Sequence, residues 1–209
     1  MRSESGKMGA IERDLFQQGF RYIAGTDEAG RGPLAGPVVA AAVIFEKGIT
    51  PEGVADSKTL SPRKREELAK RIRDLAIDVR IAIVSAAVID EINILQASVK
   101  AMKEAVEALT PRPDHVIADG ISFHHEKIPY LNVVRGDALC VSIAAASIIA
   151  KVTRDAIMTE YGKLFPEYGF EIHKGYPTKA HREAVLRNGI SPIHRRSFRI
   201  LQPSRQTIA

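Results

Sequence analysis

The chain has 209 residues and a mass of 22.9 kDa, with 45% hydrophobic and 26% charged residues, a balance that suits one packed domain and excludes wholesale disorder or a coiled coil. The longest apolar runs, Val38 to Phe45 and Ala138 to Ala150, are shorter than the roughly 18 residues of a membrane span; MRSESGKMGAIERD lacks a signal-peptide core, and a lone Cys140 excludes an intrachain disulfide or a cysteine-based zinc cluster, so a cytoplasmic protein is expected. The net charge is +5, but from His173 to Ala209 Lys174, Lys179, Arg182, Arg187, Arg195, Arg196, Arg199 and Arg205 face Glu183 alone, the footprint of a polyanion partner.

In chain order, Arg21 to Thr26 and Pro37 to Phe45 read as strands, the second rich in Val and Ala and so buried. Between them Gly30-Arg-Gly-Pro-Leu-Ala-Gly36 is a glycine-rich connection. Ser61-Pro62 starts a charged surface helix that runs to Ala76. Val79, Ile81 and Ile83 alternate with Arg80 and Ala82, which predicts a third strand. From Ile89 to Leu109 the apolar positions Ile92, Leu95, Val99, Met102 and Val106 recur every three or four residues, predicting a helix with one buried face that Pro111 and Pro113 end. His115 to Ala118 and Leu131 to Val134 read as short strands that run into Asp119 and Gly136-Asp137. A long helix, small and apolar in its first half, is expected from Asp137 to about Tyr161, and a last one from Thr178 to Arg187 with Asn188-Gly189 as its stop. Three successive strands suit an antiparallel meander, and two later ones separated by a helix add in parallel. The expectation is an α/β fold, a mixed five-stranded sheet flanked by helices. The chain reads as a single domain with its body at about 19–205, a basic C-terminal helical segment from about 165, and an extension over 1–18 to which the sequence gives no role.

Three acidic pairs occur, Asp27-Glu28, Glu66-Glu67 and Asp90-Glu91, about as many as chance gives, so context must separate them. Glu66-Glu67 sits among Arg63, Lys64, Arg65 and Lys70 on an exposed helix face, and Asp90-Glu91 precedes a helix, where negative charge suits the dipole. Asp27-Glu28 lies between apolar segments with no cation before Arg31. Asp119 in HVIADG and Asp137 in NVVRGDALCV also follow apolar strands. Each taken alone is an ordinary turn or cap residue. Four carboxylates at one edge of a sheet would repel strongly, and oxygen-only ligands favour Mg²⁺ or Mn²⁺ over zinc. Two such ions on a phosphodiester can activate water and stabilise the leaving oxygen. The Gly30-Arg31-Gly32 turn is neither a Rossmann fingerprint nor a P-loop, but its glycines let backbone amides approach a ligand. Ser147 and Lys151, four apart, share a helix face, and Tyr176 beside Lys174 could stack on a sugar or base. Tyr161, Phe165 and Tyr168 read as core.

The segments GTDEAGRGPLAGPVVAAAVI, DSKTLS from Asp56, IADG, RGDALCVSIAAASIIAKVTRD, HKGYPTKAH and HRRSF occur in this order and resemble the bacterial ribonuclease HII (type 2 ribonuclease H) family from about Tyr22 to Phe198. The resemblance implies a ribonuclease H-like fold and a site of four carboxylates and two divalent ions, Mg²⁺ or Mn²⁺, its acids falling on Asp27, Glu28, Asp119 and Asp137. It implies that the Gly30-Arg31-Gly32 backbone contacts the 2′-hydroxyl, which tells RNA from DNA. Tyr176 would stack on the deoxyribose after a ribonucleotide, and Ser147 and Lys151 match a phosphate-contacting helix. The implied activity is endonucleolytic cleavage of RNA in RNA–DNA hybrids, and incision 5′ of single ribonucleotides in duplex DNA, leaving 3′-hydroxyl and 5′-phosphate ends. A monomer is implied. The related type 3 enzymes carry a large N-terminal domain and usually glutamate at the fourth acidic position, where this chain has Asp137.

Overall fold

A computed structural model describes residues 8–54 and 60–199, so Asp56 to Thr59 of the DSKTLS motif and Arg205 lie outside the described residues. The elements are α1 (Ala10–Gln17), β1 (Ile23–Ala29), β2 (Val38–Ile44), α2 (Pro62–Leu75), β3 (Asp78–Val84), α3 (Ala86–Glu107), β4 (His115–Asp119), β5 (Tyr130–Val133), α4 (Val141–Leu164), α5 (Phe170–His173) and α6 (Lys179–Asn188). The sheet order is β3-β2-β1-β4-β5, with β1–β2 and β2–β3 antiparallel and β1–β4 and β4–β5 parallel. This is the mixed sheet expected from the strand spacing. No helix among the described residues is long and apolar enough to cross a membrane.

Strand β2 reads VVAAAVI because both of its faces are covered. Ala40, Ala42 and Ile44 join the core under α3, while Ala41, Val43 and Phe45 join the core under α2 and α4. The period of two carries over to the neighbours: Ala24, Val116 and Ala118 lie on the α3 side, whereas Ile117 meets Ile143 of α4. Alanine on β2 lets the helices come close, and the same is true of Gly25 on β1. A Cβ on Gly25 would overlap the backbone of Ser142 and Ile143, so α4 rests directly on β1.

Four boundaries depart from the sequence reading. Strand β1 runs three residues past Thr26, because Asp27, Glu28 and Ala29 continue the ladder opposite Ala41, Ala40 and Val39 of β2. The long helix begins at Val141 rather than Asp137, and residues Gly136–Ala138 form a separate short 3-10 turn. Helix α3 breaks at Asn93 (φ 67°), whose side chain accepts from the amides of Leu95 and Gln96 and restarts the helix. Within the extension over 1–18, residues 10–17 form α1, with Leu15, Ile11 and Phe16 joining the core around Ile23, Ile117 and Ile143. Glu12 of α1 takes the amide and hydroxyl of Ser142, both at 3.1 Å, and so caps α4, whose own N-cap residue Cys140 offers no side-chain bond.

Candidate active site

Helix α4 lines the site with one stripe. Ile143, Ser147, Lys151, Arg154 and Met158 are spaced by three or four residues and so point the same way. Ile143 lies under Gly25, the Ser147 hydroxyl bonds the carboxylate of Asp27, Arg154 lies under Gly30, and Met158 lies under Gly36. The stripe changes from apolar to polar where β1 leaves the core.

Thr26 pairs with Ala118, so the next residue of each parallel strand is Asp27 and Asp119. The pleat turns both toward α4, on the side already occupied by Gly25 and Ile117. Asp27 is buried, and its Oδ1 accepts the Glu28 amide at 2.7 Å. Its carboxyl is held well above the usual range, first by burial and then by the like charges of Glu28 and Asp119. Glu28 is also raised, chiefly by burial, with Asp119 adding and Arg31 opposing; its Oε1 lies 3.3 Å from the Arg31 guanidinium. Asp119 accepts the Gly136 amide at 2.6 Å. Arg135 takes a left-handed conformation (φ 60°), which turns the chain so that this amide meets Asp119 and sets Asp137 one residue further on.

Among the described residues no three His, Cys, Asp or Glu side chains are gathered as they stand into a set that could hold a metal ion. Glu28 is turned to Arg31 and Asp119 to Gly136. The donor chemistry nevertheless fits a hard divalent cation: three mutually repelling carboxylates, oxygen ligands only, at the end of a dry sheet.

The glycine-rich connection is gripped from below by two buried arginines: Arg154, to which the sequence reading gave no role, and Arg195, which it counted in the basic C-terminal footprint but which is fully buried and so presents no charge to a partner. Arg154 donates to the carbonyls of Pro37 (3.0 Å), Ala35 (3.1 Å) and Lys174 (3.0 Å). Arg195 donates to Gly30 (2.6 Å), Arg31 (3.1 Å), Gly36 (3.0 Å) and Pro37 (3.2 Å). The turn's carbonyls thus face inward, and among the described residues no carbonyl accepts the Arg31 or Gly32 amide. Gly30 (φ 104°) is required twice over, since a Cβ there would also strike Arg154.

Tyr176 stands beside this turn. Its Cε1 lies 3.7 Å from where a Cβ of Gly32 would be, and Lys151 Nζ and Arg154 Cζ are 5.8 and 6.0 Å from the ring centroid. The ring is 41% exposed, and Lys151 bonds Asp155 at 2.8 Å. Each residue singled out in the sequence therefore lies on β1, on the turn after it, at the end of β4, on the turn before α4, on the α4 stripe or beside Gly32. Tyr168, with Phe165 and Tyr161 partly buried around it, is core as expected.

This sheet, with carboxylates leaving the ends of adjacent parallel strands on its α4 face, defines a ribonuclease H-type phosphodiester hydrolase. The family model for ribonuclease HII matches residues 24–201. The chain is 52% identical over 189 residues to the ribonuclease HII of Acholeplasma laidlawii, covering 90% of this chain and 93% of that one, and 49% identical over 201 residues to that of Syntrophus aciditrophicus, covering 96% and 95%. Among solved structures, the ribonuclease H2 of Pyrococcus horikoshii superposes with a TM-score of 0.72 at 30% identity, over 86% of this chain and 94% of that one. The chain belongs to the ribonuclease HII family, divalent-metal-dependent endonucleases that degrade the RNA of RNA–DNA hybrids.

Proposed function

We propose that this protein incises the RNA strand of hybrids and also cuts 5′ of single ribonucleotides in duplex DNA, working as a monomer on two Mg²⁺ or Mn²⁺ ions held by Asp27, Glu28, Asp119 and Asp137. The observation that carries the reading is the alignment of three things along one helix: coupled carboxylates, a turn whose Arg31 and Gly32 amides no carbonyl accepts among the described residues, and an exposed tyrosine. Bound cations supply Lewis acidity that activates water and neutralises charge on the phosphodiester, leaving 3′-hydroxyl and 5′-phosphate ends.

The chain's own residues do the rest. The Arg31 and Gly32 amides can reach a 2′-hydroxyl oxygen because Arg195 holds the turn's carbonyls away from the substrate. Tyr176 offers a flat face to the next sugar, and a deoxyribose, lacking the hydroxyl, fits against it more closely than a ribose. Lys151 and Ser147 bring a cation and a hydroxyl to the phosphate side, and the basic C-terminal segment draws in the duplex. Exchange of Asp137 for Asn is expected to abolish cleavage while folding and duplex binding persist; wild-type turnover would remove Asp137 from the set.

The test is a labelled DNA duplex with one ribonucleotide, incubated with Mg²⁺, with Mn²⁺ and with EDTA. A cut on the 5′ side of the ribonucleotide, lost in EDTA, is the expected result. Cutting within a long hybrid but not at the single ribonucleotide would keep the chemistry and overturn the junction specificity. Binding without cleavage would leave a duplex-binding protein, and cutting indifferent to the 2′-hydroxyl would leave a DNA nuclease on this fold.

A further inference from the structure

Beside the Tyr176 backbone three imidazoles are gathered, His181 and His194 buried and His173 half-buried. His173 ends α5, His181 lies in the first turn of α6 and His194 lies in the segment after it; the His173–His181 and His181–His194 ring centroids are 4.3 and 5.1 Å apart, and Phe170 meets all three rings. What each nitrogen faces fixes its proton. The carbonyl of Tyr176, 2.9 Å from His181 Nδ1, can only accept, so Nδ1 carries the hydrogen. His181 Nε2 is then a lone pair, and His194 Nε2, 3.0 Å away, must donate to it. His194 Nδ1 is left to accept, which it does from the Ser191 amide at 2.9 Å and the Ser191 hydroxyl at 2.7 Å. The chain Ser191 to His194 to His181 to Tyr176 is complete with both rings neutral. A further proton on either would set N–H against N–H or N–H against Ser191's amide.

The surroundings oppose that proton. Burial is the main cause, holding His181 below its ordinary range and His194 down at about 4; His173, stacked on His181, adds to both, Arg182 adds at His181, and His181 adds at His194. His173 is itself committed, accepting the Gly175 amide at 3.2 Å and donating to the Tyr168 carbonyl at 2.8 Å. The same short stretch is tied to the glycine turn, since the Leu34 amide donates to the Gly175 carbonyl at 2.8 Å.

We infer that His181 and His194 are positioning residues for substrate recognition: their neutral relay fixes the Tyr176 backbone, and with it the ring beside Gly32 that reads the RNA–DNA junction. The inference rests on the junction role of Tyr176 given above. Its test is a double-mutant cycle on the ratio of kcat/KM for a single-ribonucleotide duplex to kcat/KM for a uniform hybrid, in wild type, Tyr176→Ala, His181→Ala and the double variant. A His residue that acts through Tyr176 gives non-additive losses. His181→Ala should lower the ratio about tenfold, the size of a lost stacking contact, the double variant should be no lower than Tyr176→Ala, and His181→Asn, which keeps an N–H near the Nδ1 position, should restore most of it. Additive losses, or an unchanged ratio in His181→Ala when Tyr176→Ala lowers it, would overturn the relay alone. An unchanged ratio in Tyr176→Ala would remove the junction reading and the relay with it. Where His181→Ala fails to fold, the wild-type protein carries an independent readout in its ¹⁵N-histidine NMR spectrum. His181 as the Nδ1–H tautomer with His194 as Nε2–H at neutral pH is expected; Nε2–H at His181 would overturn the relay.

Discussion

At Asp27 a carboxylate is buried beside two others, with one hydroxyl and one amide to offset three like charges; at Arg154 and Arg195 two guanidiniums are buried side by side, each bonded to several carbonyls. Both clusters lie along the same face of α4, and burial opposes the charge in each, lowering Arg154 and bringing Arg195 down to about 9 as it raises Asp27; what differs is the compensation. The arginines are satisfied by peptide dipoles and make the glycine turn rigid. The carboxylates are left under-compensated, so the folded protein is strained toward protonation or toward a cation. One end of the site is finished by folding, and the other is finished by what binds.

The sharpest way to break that contrast is Asp27→Asn. Cleavage should fall about 10³-fold or more, as when one electrostatic contact to a transition state is removed, while resistance to urea in metal-free buffer should rise. The sign follows from the raised carboxyl: a group whose folded pKa lies above its unfolded one contributes fully below the unfolded value and loses that contribution as pH rises through the folded value, so above that window the carboxyl works against folding. A urea melt beside single-turnover cleavage reads both effects. On the other side, Arg195→Leu leaves the carbonyls of Gly30, Arg31 and Gly36 without this donor in a dry interior, and should lower unfolding free energy by about 3 kcal/mol in the same melt. Gly30→Ala puts a Cβ at φ 104° against Arg154 and should lose about 2 kcal/mol, with weakened preference for RNA over DNA at the scissile position. Acid acts on the histidines, where the effect is read as a slope against pH. The unfolded chain takes up a proton near pH 6.5 while folded His194 waits until about 4, so stability is full above the first value and falls as pH drops toward the second. Its slope is about 1.4 kcal/mol per pH unit. Thermal melts between pH 7 and 4 check this, and His194→Gln should flatten the profile.

Much of this was legible in the residues. Strand β2 announces its burial by composition; alternation in β3 marks a strand but not its inner face, since Ala82 and Val84 are buried and Ile83 is exposed, and the α3 spacing holds for Val99, Met102 and Val106 but not for Leu95, which is exposed beyond the break at Asn93. The acids stood out because each follows an apolar strand, Asp27-Glu28 with no cation before Arg31. Arg154 and Arg195 did not, because a guanidinium buried against carbonyls has no local signal; only the fold brings residues 30–37, 154 and 195 together. His173, His181 and His194 were hidden for the same reason, being scattered over a segment read only for its lysines and arginines. Helix α1 carries Ile11, Leu15 and Phe16 at helical spacing but is only eight residues long, and its polar anchor, from Glu12 to the start of α4, spans more than a hundred residues of sequence. The start of α4 was set four residues early, because Gly136-Asp137-Ala138 is helical in local preference but is held apart in a separate turn whose Gly136 amide bonds to Asp119.

The central claim is that the carboxylate end is completed by divalent cations, and Mn²⁺ binding followed by electron paramagnetic resonance tests it without any nucleic acid. Wild-type protein titrated at neutral pH should bind Mn²⁺ saturably, and Asp27→Asn, which keeps the shape and loses the charge, should bind about tenfold or more weakly. Equal binding by the two proteins would contradict the account, since the ion would then be held somewhere other than beside Asp27.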